Sequence, residues 1–183
     1  MGGSIDRKKQ QMRHLIRLIL LILPFATQAK PQLNEDPMSL TVECINHPAC
    51  VFKGKALPII VTLENKSATE VEVAVAFIQM VGPYIRLTDT VTQTSTSVAT
   101  RRASLNLLEK FQGIPKGGAI KFPAVIPAED IKAFRNEFVD LDVEVIISSR
   151  IRLKTAETQK LRAQGHFRIQ GEDTVAGKKR KYQ

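Results

Sequence analysis

The chain has 183 residues, with 27 Lys and Arg against 18 Asp and Glu and a formal net charge of +9. Residues 1–29 carry +4 and the segment Lys178–Lys181 carries another +4, so the body, 30–177, is close to +1. A nucleic-acid binder concentrates its charge on the folded domain and stacks bases on aromatic rings; terminal charge, two Tyr and no Trp argue against that class.

Read from the start, basic residues from Arg7 to Arg17 precede an apolar run from Leu18 to Ala26, and Thr27 and Ala29 are small residues spaced as before a cleavage point. This is the grammar of a secretory signal peptide, and residues 1–29 are read as one. Met12 begins a segment that would serve as a complete signal by itself. An uncleaved anchor is the alternative, but Arg17 interrupts a run already short of the roughly 20 apolar residues that span a bilayer. The start does not fit the myristoylation pattern, because Asp6 stands where Ser or Thr is needed. Removing 29 residues leaves 154, one domain able to bury about 70% of its unfolded surface.

Residues 30–39 read as a loose leader. Beyond them, apolar residues recur with period two, the mark of half-buried strands. "SLTVEC" aligns Leu40, Val42 and Cys44, and "ALPIIVTLEN" aligns Leu57, Ile59, Val61 and Leu63. "EVEVAVAFIQM" is read as a strand setting Val71, Val73, Val75 and Phe77 on one side. "AIKFPAVIP" offers Ile120 and Phe122, and "VDLDVEVIISS" sets Val139, Leu141, Val143, Val145 and Ile147 against Asp140, Asp142 and Glu144. "QGHFRIQ" closes with Phe167 and Ile169. Turn signals at Glu64–Ser67, Gly82-Pro83, Pro115–Gly118 and Gly171 separate these runs. One helical candidate, "SLNLLEKFQG", places Leu105, Leu108 and Phe111 on a face, with Gly113 as its stop. The Thr/Ser run 88–102 reads as an exposed loop or edge strand. Short strands with regular turns predict an all-β fold, an immunoglobulin-like β-sandwich of two antiparallel sheets over 40–171. The basic end, 172–183, reads as a solvated tail, with contact to a membrane or receptor surface as the alternative.

The search for chemistry starts at Cys44, His47 and Cys50. They would supply three metal ligands, but zinc needs four, or three and an open position. The other His beyond the signal is His166. A secreted chain favours oxidised thiols, so a Cys44–Cys50 disulfide is expected and a metal site is not. There is no Gly-x-Ser-x-Gly elbow and no phosphate-cradling glycine loop. Asp140, Asp142 and Glu144 alternate with apolar residues, as on a solvated strand face. The chain is therefore read as a non-enzyme without a cofactor. Asn65-Lys66-Ser67 is a glycosylation sequon.

"CINHPACVFKGKALPIIVTLEN" resembles a signature of the ML (lipid-recognition) domain family: a short Cys-to-Cys loop, Lys53-Gly54, then an apolar strand. "VEVAVAFIQMVGPYIRL", "GIPKGGAIKFPAVIP", "FVDLDVEVIIS" and "GHFRIQ" resemble later family segments in order, covering roughly 40–170. The resemblance implies an immunoglobulin-like sandwich that holds one lipid between its sheets. It departs where the family has three disulfides and this chain has two cysteines. On this reading the protein is secreted, or lies in the endolysosomal lumen. It is a monomer that binds a sterol, fatty acid or related lipid for transport or recognition. The alternative is a secreted interaction module with a closed core. The expected pocket walls are Val61, Leu63, Val73, Val75, Phe77, Tyr84, Phe122, Val143, Val145 and Phe167, with Tyr84 at the mouth, where its hydroxyl stays wet.

Overall fold

The computed structural model describes residues 36–45, 49–134, 138–153 and 157–172. The expected signal peptide, most of the leader, His47 and the tail after Glu172 lie outside the described residues. In chain order the strands are β1 (Met38–Cys44), β2 (Val51–Phe52), β3 (Leu57–Asn65) and β4 (Val71–Val73). Helix α1 (Val75–Val81) leads to β5 (Tyr84–Asp89) and β6 (Ser95–Ser97). A 3-10 helix (Leu105–Glu109) precedes β7 (Gln112–Ile114) and β8 (Ala119–Ile126). Helix α2 (Ala128–Lys132) precedes the long hairpin of β9 (Asp140–Arg152) and β10 (Thr158–Gly171).

The fold is an all-β sandwich of two sheets. One sheet has the order β1-β3-β8 and is antiparallel throughout. The other runs β2-β10-β9-β4-β7, with β5 and β6 added on the free part of β9. It contains one parallel pairing, β2 with β10, so it is mixed rather than wholly antiparallel. The apolar faces meet as the period-two pattern requires: Leu57, Ile59, Val61 and Leu63 from β3 are buried with Leu141, Val143, Val145 and Ile147 from β9. β1 begins at Met38, which is buried, so the end of the expected leader belongs to the sheet. β10 begins at Thr158, and Leu161 and Ala163 extend its inward row. Where β1 passes over β10, a Cβ on Gly165 would stand 3.2 Å from the Leu40 carbonyl oxygen, so glycine permits that approach.

One strand reading needs correction. "EVEVAVAFIQM" is a strand only as far as Val73, after which Val75–Val81 is helical. β4 and β5 both pair with the same edge of β9, at Ile151–Arg152 and at Leu141–Ile146. The residues between them far outnumber the β9 positions they must pass, and the excess winds into a helix. Ala74 makes the last sheet contact, its N–H donating to the Arg150 carbonyl at 3.1 Å. Val75 and Ile78 then turn inward, three residues apart. Ala, Gln and Met tolerate the helix well, and Gly82, at φ +79, ends it.

Two devices tie the sheets together. The first is Asn65, at the end of β3 and fully buried. Its Nδ2 donates to the carbonyls of Thr69 at 2.8 Å and of Ile114 in β7 at 2.9 Å. Its Oδ1 accepts from the Ser67 amide at 2.9 Å and the Ser67 hydroxyl at 2.7 Å. Its backbone N–H donates to Gly118 O, and its carbonyl accepts from Gly117 N–H. The Asn65-Lys66-Ser67 sequon thus lies in a buried turn, where the nitrogen that would carry a glycan donates to two interior carbonyls. The second device is the Cys44–Cys50 disulfide. It joins the end of β1 in one sheet to the residue preceding β2 in the other, and the Cys50 carbonyl accepts from Gln170 N–H at 3.4 Å.

Replacing Asn65 by Ala should lower stability by about 2–4 kcal/mol, since it strands buried carbonyls and an amide; a urea midpoint equal to that of the parent would refute this. The intact mass of protein secreted from a glycosylating host should show no sugar at Asn65. Reducing the disulfide, or replacing both cysteines by Ser, should cost about 2 kcal/mol from loop entropy. It should also speed amide exchange at Val51 and Phe52 ahead of β9. Uniform protection across both strands after reduction would contradict the clamp.

Candidate functional site

A cavity of about 310 Å³ opens at the edge of the sandwich where β2, α2 and the ends of the β9–β10 hairpin meet. β2 and the turn after it supply Phe52, Lys53 and Gly54; α2 and the residues after it supply Ile131, Lys132 and Phe134. The entry to β9 supplies Phe138, Val139 and Leu141, and the end of β10 supplies Gly171 and Glu172. Three of the chain's eight Phe stand around this one space.

Local constraints explain why it stays open. Gly171 donates its N–H to the Val139 carbonyl at 2.8 Å, and a Cβ there would lie 3.3 Å from the Val139 Cβ. The close approach of β10 to the entry of β9 therefore leaves no side chain to fill the floor. Gly54, at φ +77, turns the chain away after β2. In α2, Pro127 precedes the first turn and buried Ile131 anchors the helix to the core, which leaves the next residue, Lys132, at the rim.

The start of β9 is held by a forked ion pair. Arg168 Nε and Nη2 each donate to a carboxylate oxygen of Asp140 at 2.6 Å, and the Thr90 hydroxyl adds a bond at 3.0 Å. The Arg168 hydrogen bond is the main reason the Asp140 carboxyl sits below its ordinary pKa, against the opposing effect of burial. At the rim, Lys53 Nζ lies 3.5 Å from Glu172 Oε1, with both side chains more than half exposed. Such a pair contributes little to stability, about 0–1 kcal/mol. Lys132 has no ion pair among the described residues. Nearby Asp130 has its pKa raised, first by burial and then by the neighbouring charge of Glu129.

The expected wall residues lie elsewhere. Val61, Leu63, Val73, Val143 and Val145 are wholly buried, and Val75 and Phe122 nearly so. Phe77 and Phe167 are half-buried. All of these but Phe77 belong to or pack against the core between the sheets, and none lines the cavity. The expected slot between the sheets is filled, because β-branched and aromatic residues from both faces interdigitate there. Tyr84 is exposed on β5, where its hydroxyl and the Ser97 hydroxyl lie 2.6 Å apart, and it guards no opening. The carboxylates of β9 face outward, with Glu144 paired to Arg86 at 2.6 Å. His166 stands opposite Glu144 on β10 and is exposed. Among the described residues no group of three or more His, Cys, Asp or Glu is placed to hold a metal ion. The wall that sequence reasoning missed had a signal: in "AEDIKAFRNEFV", Ile131, Phe134 and Phe138 recur at i, i+3 and i+7.

No family model and no curated protein matches the chain. Among solved structures it is similar to a Northeast Structural Genomics Consortium target (9% identity, 80% of this chain and 94% of that one, TM-score 0.41). It is also similar to a protein described as ApaA from Bordetella pertussis (9% identity, 74% and 92%, TM-score 0.39). A third similarity is to a protein described as late embryogenesis abundant (13% identity, 91% and 90%, TM-score 0.36). At TM-scores this low, these likenesses carry no functional argument.

Proposed function

We propose that this is a secreted binding protein, without catalysis, that holds one slender apolar or amphiphilic lipid in the edge cavity. The observation that carries the reading is the cluster of Phe52, Phe134 and Phe138 around an open space of about 310 Å³, in a chain whose inward strand faces are packed shut. That volume is at the low end of ligand sites, which run from about 300 to 1,000 Å³, and suits a single chain better than a fused-ring sterol. Binding would draw on removing apolar surface from water, at about 25 cal/mol per Å². The disulfide supports an oxidising compartment such as the extracellular space. The two-sheet sandwich and the position of the disulfide support the resemblance to the ML family, but the ligand would sit at the edge instead of between the sheets.

A second reading, an interaction module, draws on the outer face of the small sheet. There Pro58 faces Val125 and Ile60 faces Pro123 in register, and Val125 is 53% exposed.

Native mass spectrometry of the secreted protein before and after solvent extraction tests the first reading. It should show a stoichiometric lipid, and the stripped protein should bind the neutral probe Nile red. Phe134→Asp should weaken that binding by at least about tenfold, the worth of a buried apolar side chain, while far-UV circular dichroism stays unchanged. Val125→Asp, on the outer face, should leave binding intact. A folded, ligand-free protein that ignores Nile red would favour the interaction module.

A further inference from the structure

Aromatic and charged side chains share the lining of the cavity. Lys53 and Lys132 both line it, and Glu172 is the one carboxylate among its lining residues. Glu172 is already engaged with Lys53 at 3.5 Å. Lys132 makes no ion pair among the described residues, although Glu129 and Asp130 lie on its own short helix. Neither of those two acids lines the cavity. Among the described residues the mouth therefore has one charge to spare, and that charge is positive.

We infer that the cavity selects single-chain amphiphiles with an anionic head group, the chain lying among Phe52, Phe134 and Phe138 and the head resting on Lys132 and Lys53. This rests on the lipid-binding reading above and narrows its ligand class. The head must be an oxyanion, a carboxylate or a phosphate ester, because an ammonium offers hydrogen-bond donors and no acceptor. Glu172 then has a definite role. It holds Lys53 in the empty state and competes with the ligand head for it, so the incoming oxyanion must displace the Glu172 carboxylate.

The test is titration of the solvent-stripped full-length secreted protein with dodecanoate, dodecanol and dodecyl phosphate at pH 7.5, below their aggregation limits. Both anions should bind about two- to fivefold more tightly than the alcohol, the range expected for partly exposed charge pairs. That preference should shrink as salt rises from 0.05 to 0.5 M. Lys132→Gln should erase most of it and leave dodecanol unaffected. Glu172→Gln should tighten both anions severalfold, an effect opposite in sign to general damage at the rim. A preference for the phosphate over the carboxylate would point to a lysophospholipid-type head, and the reverse to a free fatty acid. Equal binding of all three, indifferent to Lys132→Gln, overturns the head-group inference and leaves the cavity reading standing. No binding of any of them, with Nile red also ignored, overturns both.

Discussion

The carboxamide of Asn65 is the polar joint on which the sandwich turns. β3 must end, β7 must join the opposite sheet, and the 115–118 turn must return the chain to β8, all within one small volume. Each segment brings backbone groups that are expensive to bury without partners. One side chain with two donors and two acceptors answers carbonyls on Thr69 and Ile114 and both donors of Ser67. No apolar residue could stand there. The motif Asn-x-Ser is read at the surface as a glycan acceptor, yet here the same two residues form a buried turn. The Ser67 hydroxyl that would complete a sequon instead donates to Asn65 Oδ1, with Thr69 O also within 2.6 Å of it.

A second constraint follows from β9. It is paired along its length with β10, and on its other edge it serves β5 and β4 in succession. That sharing forces α1 into the chain between β4 and β5. Period two is legible in sequence wherever a strand has one wet and one dry face; β1, β3 and the second half of β10 follow it residue for residue, and β9 breaks it only at buried Ile146. It was misleading at Val75 and Phe77 because Ala74 and Ala76 are small enough to suit either face and either conformation. Nothing local in "EVEVAVAF" records that β5 takes the same edge of β9 from Ile146 onward. The helical turn near Leu105 was legible but shorter than expected, since it ends at Glu109 and Gly113, its expected stop, belongs to β7, while the edge strand Ser95–Ser97 lies in the Thr/Ser run and pairs with β5.

The cavity was illegible for a related reason. Its lining comes from four places in the chain, brought together by the parallel β2–β10 pairing and the Arg168–Asp140 fork. Neither leaves a periodic trace. Reasoning from the strands alone sought the ligand where the strands are most apolar. That logic runs backwards in a well-packed sandwich, where the most apolar faces are the ones that find each other. Val61, Val143 and Val145 are wholly buried because they succeed as core. Space persists where a glycine withholds a side chain, as at Gly171, or where the chain turns away, as at Gly54.

This separation has a consequence for how the molecule divides its tasks. With a closed core and the Asn65 joint supplying stability, the edge cavity adds little to holding the sheets together. Phe52 and Phe134 pack against the core from one side and line the cavity with the other. The link between the two regions is short: Cys44 to Cys50, then Val51 and Phe52 laid against Gln170 and Gly171. Two residues of β2 pairing would hold poorly by themselves, because so short a strand gains few hydrogen bonds for the backbone freedom it loses. The disulfide fixes the approach of β2 in advance and so sets one wall of the cavity. The cysteine pair that resembled a family signature in the sequence is thus, in the fold, the support on which the cavity's shape rests.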